Sequence, residues 1–166
     1  ESETIDLASI AAGNYKPTAD PASVTSDGIT VTFEGYKDAN KDGIFDLTSE
    51  EVSVQVSKSG IGVSPSDHID NVIGTKDGAG EMLEISFDKP ISGFTFTADQ
   101  LDDGGDLLKW KALDGSNVVG QGEYDGKGTG ASNAAEEIVF VGTDAAYAEM
   151  PDATIPEIDY QGPTTG

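Results

Sequence analysis

The segment DANKDGIFDL, residues 38–47, sets oxygen-bearing side chains at alternate positions. Asp38, Asn40 and Asp42 lead into Gly43, and Asp46 follows three residues later. Calcium takes about six to eight oxygen ligands, and alternate residues of a tight loop can turn several of them toward one centre. Gly43 permits the sharp turn such a wrap needs. The carbonyl of Ile44 is the expected in-line ligand and Asp46 a direct or water-mediated one. Glu50 or Glu51 would close the shell from the next strand. An EF-hand loop opens this way, but Ser49 stands where its closing Glu belongs. The flanking patterns are also strands, where an EF-hand needs helices. The competing reading is an acidic hairpin turn that binds nothing.

Three further clusters carry the same chemistry. SDHID holds Asp67 and Asp70, with Asp77 and Glu81 following. TADQLDDGGD holds Asp99, Asp102, Asp103 and Asp106. Each is a candidate calcium site, and each could equally be a solvated turn. The stretch GEYDGKGTGASNAAEE is rich in glycine, and loops on a rigid scaffold often contact ligands. Tyr124, Asp125, Gly128, Gly130, Ser132 and Asn133 are its candidate ligand-binding residues, among Glu123, Glu136 and Glu137.

The whole composition favours cations as partners. Acidic residues number 31 against 9 basic, a formal net charge of -22, which opposes nucleic acid and anionic membrane surfaces. Self-repulsion of that size works against a compact state unless cations bind. The chain has no Cys, so disulfides and thiolate zinc sites are excluded. With His68 the single histidine, a multi-histidine metal site is excluded too. No nucleophile elbow accompanies His68, no carboxylate pair stands out for glycoside hydrolysis, and TKDGAGE lacks the form of a phosphate loop. The chain is expected not to be an enzyme. No apolar run approaches the length of a membrane span.

The elements that must position these loops are strands. GITVTFEG, EVSVQVS, EMLEISFD, ISGFTFTAD and LLKWKAL alternate apolar with polar residues, and EEIVFVG and TIPEIDYQG add two more. Clusters of Gly, Asp, Asn and Pro punctuate them, and KPTADPAS reads as a long early loop. SIAAG, TADQLD and DAAYAEM are the only helical candidates, each a turn or two. The pattern predicts an all-β fold: an antiparallel, jelly-roll-like β-sandwich with calcium-binding loops and at most one or two short helical turns. Residues 1–166 are expected to form a single module excised from a longer chain, with 161–166 a linker-like tail.

Residues 29–160 carry a recurring pattern. Gly60 to Val63 give a GIGV turn, and Ile69 precedes Asp70. Glu81 or Glu84 leads an apolar strand, Phe87 to Ile91 form a Phe-x-x-Pro-Ile turn, and Trp110 lies in a later strand. This pattern resembles modules of very long calcium-dependent RTX-type bacterial adhesins, most of all their peptide-binding domain. The resemblance implies an extracellular module at the bacterial cell surface, monomeric, with several calcium ions. It implies capture of the C-terminal carboxylate of a target protein by a surface calcium ion, and so attachment to host cells or other microbes and biofilm formation. Two alternatives stay open. One is a calcium-dependent lectin module that binds glycans. The other is a structural extender rigidified by calcium. A lectin would be expected to expose aromatic rings, whereas Trp110 alternates with lysines as a core residue does.

Overall fold

The computed structural model describes residues 2–7, 10–16, 20–38, 40, 50–58, 60–64, 75–76, 79–99, 107–125, 136–140, 145–149 and 154–163. Fourteen strands follow one another, and among the described residues there is no α-helix. They are β1 (Ser2–Asp6), β2 (Gly13–Tyr15), β3 (Ala22–Ser26), β4 (Ile29–Lys37), β5 (Glu50–Ser57), β6 (Gly60–Ser64) and β7 (Thr75–Lys76), then β8 (Ala79–Phe87), β9 (Ile91–Asp99), β10 (Leu107–Asp114), β11 (Asn117–Asp125), β12 (Glu136–Phe140), β13 (Ala145–Glu149) and β14 (Thr154–Pro163). The hydrogen-bonded order is β11-β10-β13-β8-β4-β5-β6-β14-β9-β12, with β1 on β14, β2 on β5, β3 on β4 and β7 on β8. Every described pairing is antiparallel. The expected all-β sandwich is therefore present.

Alternation builds the core. Ile29, Val31 and Phe33 of β4 are buried, as are Val52, Val54 and Val56 of β5 and Leu83, Ile85 and Phe87 of β8. Phe94 and Phe96 of β9 join the same cluster. Phe87 and Phe94 meet edge to face with centroids 5.1 Å apart, so β8 and β9, consecutive but not paired, pack their aromatic rings together. At the β3–β4 hairpin Asp27 and Gly28 both have positive φ, 51° and 75°, the requirement of a tight two-residue turn. The turn is pinned from outside: Lys89 Nζ donates to the Gly28 carbonyl at 2.8 Å, and the Thr30 amide donates to Asp88 Oδ1 at 2.8 Å.

Several expectations need correction. The helical candidate DAAYAEM contains β13, paired on both sides, to β8 and to β10. Two ladders outweigh the helix propensity of its alanines. Of TADQLD, Thr97 to Asp99 belong to β9 and the remainder lies outside the described residues. Of SIAAG, Ile10 to Gly13 are not helical and Ser9 lies outside the described residues; the Ile10 amide donates to the Leu7 carbonyl at 3.2 Å. The GIGV segment, expected as a turn, is strand β6, with Gly60, Ile61, Gly62 and Val63 all buried. β14 continues through Pro163, opposite Ile91, three residues into the expected linker.

Candidate functional site

Antiparallel pairing fixes the direction of each strand. Strands β4, β6, β9, β11 and β13 run one way along the sandwich, and β5, β8, β10, β12 and β14 run the other. The first group therefore terminates, and the second begins, at a single end. At the opposite end the links are short: 27–28, 58–59, 88–90, 115–116 and 141–144. At the first end lie the strand ends that flank the segments 38–49, 65–78, 100–106 and 126–135 and the short link 150–153. Those four segments, with the strand residues flanking them, contain every candidate metal and ligand-binding residue read from the sequence. Four clusters far apart in the chain thus leave the scaffold from one end, which no local pattern announces.

The individual residues fall as follows. Asp38 immediately follows β4 and is only 3% exposed. Glu81 is the third residue of β8 and is 4% exposed. They are the only buried charged side chains among the described residues. Both flank Lys37: Asp38 follows it in the chain, and Glu81 faces it across the β4–β8 ladder. Glu50 faces Lys37 from β5, on the other side, and is exposed. Glu51, expected to close the first loop, faces Tyr36 and is exposed; Asn40 is exposed. Asp99 lies at the end of β9 opposite Thr154. Tyr124 and Asp125 end β11, opposite Leu108 and Leu107. Asp42, Ile44, Asp46, Asp67, Asp70, Asp102, Asp103, Asp106, Gly128, Gly130, Ser132 and Asn133 lie outside the described residues.

Burial of two carboxylates in a chain of this charge demands compensation, because removing an ionised carboxylate from water costs several kcal/mol. Asp38 and Glu81 each take part in interactions with their surroundings. Oδ1 of Asp38 is sealed from solvent and accepts no hydrogen bond. Among the described residues no group of three or more His, Asp or Glu is arranged to hold a metal ion by itself.

A second acidic group escaped the sequence reading. On β4, Glu34 stands directly opposite Glu84 of β8, an unfavourable like-charge pair. Tyr36 lies one step along the same face and donates to Glu34 Oε2 at 3.1 Å. Burial, then the charges of Glu84 and Glu34, the hydrogen bond to Glu34 and the charge of Glu51 push the Tyr36 hydroxyl well above the usual tyrosine range. The phenol therefore stays protonated and acts as a donor. The signal in the sequence was the alternation itself, which puts Glu34, Tyr36 and Glu84 at outward positions of two strands.

Trp110 is half-buried and packs against the core. Its indole covers Gly122, opposite it on β11, and Gly120, opposite Ala112. A Cβ built on Gly122 would come within 2.7 Å of Trp110 Nε1, and one on Gly120 within 3.3 Å of Cζ3. This is a packing role for the ring, as expected.

No family description and no curated protein matches the chain significantly. Among solved structures, the chain is similar to the K2 cleaved adhesin domain of Lys-gingipain (Kgp), with 13% identity and a TM-score of 0.45 over 98% of this chain and 100% of that one. It is also similar to the enzymatically active domain of tailspike protein 4 of bacteriophage CBA120, with 17% identity and a TM-score of 0.29 over 85% of this chain and 18% of that one. Scores this low carry no functional inference, and the all-β architecture rests on the strands and pairings themselves.

Proposed function

We propose that this chain is a calcium-dependent, peptide-binding adhesin module of the bacterial cell surface. It binds and does not catalyse. The observation that carries the reading is that the strands flanking all four acidic segments end or begin at one end of the sandwich, where Asp38 and Glu81 are buried. The motif pattern from Gly60 to Trp110 supports it. Asp38, Asn40 and Glu81, with Asp42, Asp46 and the carbonyl of Ile44, are the residues that would hold calcium. An ion with protein oxygens on one side can exchange water on the other for a carboxylate. A strongly acidic surface repels a free C-terminus unless such a cation intervenes. The Gly-rich segment after Asp125 starts at the same end and would supply amides and side chains such as Asn133 to the last residues of the target. Burial of Trp110 against Gly120 and Gly122 weighs against a sugar-stacking role for the ring.

The test is a paired titration of short peptides, one with a free terminal carboxylate and one amidated, each with calcium and with chelator. Binding is expected only for the free acid with calcium, in the range of about micromolar, because a flexible peptide is ordered on binding. Equal binding of both peptides would refute carboxylate capture. Binding of simple sugars in place of peptides would establish the lectin alternative.

A further inference from the structure

The two outer strands of the hydrogen-bonded order differ in how they are protected. β12 opens with Glu136 and Glu137. β11 closes with Glu123 and Asp125 and carries a bulge at Val119, but its first six residues, NVVGQG from Asn117 to Gly122, have neither a charge nor a proline. Edge strands are normally blunted by such residues, since their unpaired amides and carbonyls template another strand. Among the described residues β11 pairs only with β10. Its exposed large apolar side chains, Val118 at 51% and Val119 at 45%, are the only ones of that kind among the described residues. The register shifts only near the hairpin, between Ala112 and Leu113; from Gly120 to Asp125 the ladder with β10 is regular. On the Trp110 side the strand is bare, because Gly120 and Gly122 lie beneath the indole. A strand added outside β11 would therefore set side chains beside a half-buried aromatic ring.

We infer that β11 is a strand-addition site for an extended segment of another protein, apolar and β-branched at alternate positions and flanked by Lys or Arg. Main-chain hydrogen bonds supply affinity in this mode and side chains supply selectivity. The charge requirement follows from the surroundings. Asp114 lies at one end of the hairpin, and Glu123 and Asp125 lead from β11 into the acidic end of the sandwich. The same charge disfavours a second copy as the occupant, since two chains of net charge -22 repel at close approach. This site needs neither a free C-terminus nor calcium, so it stands or falls separately from carboxylate capture.

The probe is an acetylated and amidated peptide of alternating Val and Thr with Lys at each end, added in chelator to the isotope-labelled chain. Shifts are expected in the amides of Asn117 to Asp125, with slowed hydrogen exchange there. Methylating alternate backbone nitrogens of the peptide should weaken binding about tenfold or more, as several backbone hydrogen bonds are lost together. The double variant Val118→Lys, Val119→Lys, at exposed positions, should weaken the cationic peptide by a similar factor while keeping the melting temperature. Equal binding of the methylated peptide would overturn the inference, and that arm does not depend on the variant folding. So would shifts confined to other strands, or no binding at about 1 mM, the weak limit of a specific contact. Dimerisation of the free chain through β11 would also overturn it, by assigning the edge to a second copy.

Discussion

If calcium compensates the buried carboxylates, neutralising one of them should change sign with the metal. The substitution Asp38→Asn keeps shape and volume but removes a charge from a side chain that is 3% exposed. With calcium at about 100 times its dissociation constant, the ion stabilises the folded chain by about 2.7 kcal/mol. Loss of an anionic ligand that weakens affinity about 100-fold leaves about 0.4 kcal/mol of that, a deficit of about 2.3 kcal/mol. For a chain of this size each kcal/mol moves Tm by roughly 2–4 °C, so the variant should melt roughly 5–9 °C below the parent. In excess chelator the same charge is a liability, because a buried carboxylate without its cation opposes folding. There the variant should melt at or above the parent temperature. Glu81→Gln should behave alike, whereas Asp88→Asn, at the opposite end of the sandwich, should differ from the parent by the same amount in calcium and in chelator. Melting followed by circular dichroism in calcium and in chelator measures all eight values. A parent whose melting ignores the chelator, or a variant with the same deficit in both conditions, would refute the assignment of these residues to an ion.

Four further outcomes follow from other parts of the molecule. Gly122→Ala drives a Cβ to 2.7 Å from Trp110 Nε1 and should cost about 1–3 kcal/mol by overpacking, with a red-shifted indole emission as the ring is displaced. Phe94→Ala removes a fully buried ring and its contact with Phe87, and should cost about 3–5 kcal/mol in a denaturant titration. Asp88→Ala removes the acceptor for the Thr30 amide and should cost about 1 kcal/mol, read in the same way. Tyr36 has a raised folded-state pKa, so the folded chain holds that proton more tightly than the unfolded chain. Its contribution is complete below the unfolded value near 10 and is lost as pH rises above it; Tyr36→Phe should flatten the fall in stability between about pH 10 and 11, measured by urea unfolding.

Strands that present one face to the core were legible because alternation is a local property. Ile29, Val31 and Phe33, or Leu83, Ile85 and Phe87, declare their strand without any neighbour. Three of the strands that went unread lack that signal for a physical reason. In β6 all of Gly60 to Val63 are buried, so no polar position alternates with the apolar ones. In β13 the residues AAYAE favour a helix, and only pairing with β8 and β10 holds them extended. In β11 the inward positions Gly120 and Gly122 are empty because the ring of Trp110, on the neighbouring strand, fills the space. Each of these strands is specified by a partner distant in sequence.

The same distinction separates the acidic clusters from the site they build. Each cluster was visible as a run of Asp, Asn and Gly, but composition alone produces such runs in a chain this acidic. What distinguishes a site from a solvated turn is that separate runs meet, and meeting is a consequence of strand order. Segments 38–49 and 65–78 are joined through the β4–β8 ladder, where Lys37 faces Glu81. The segment 126–135 reaches the same end only because β10, β11 and β13 are stacked beyond β8 by pairings that connect residue 82 to 149 and residue 107 to 125. An arrangement that starts so many acidic segments from one end, with short links at the other, favours repulsion concentrated where it could have been spread. Folding tolerates that concentration when a cation or a cationic partner is present to offset it. The calcium reading and the strand-addition reading meet on this point: one supplies the positive charge as an ion, the other as the flanks of an added strand.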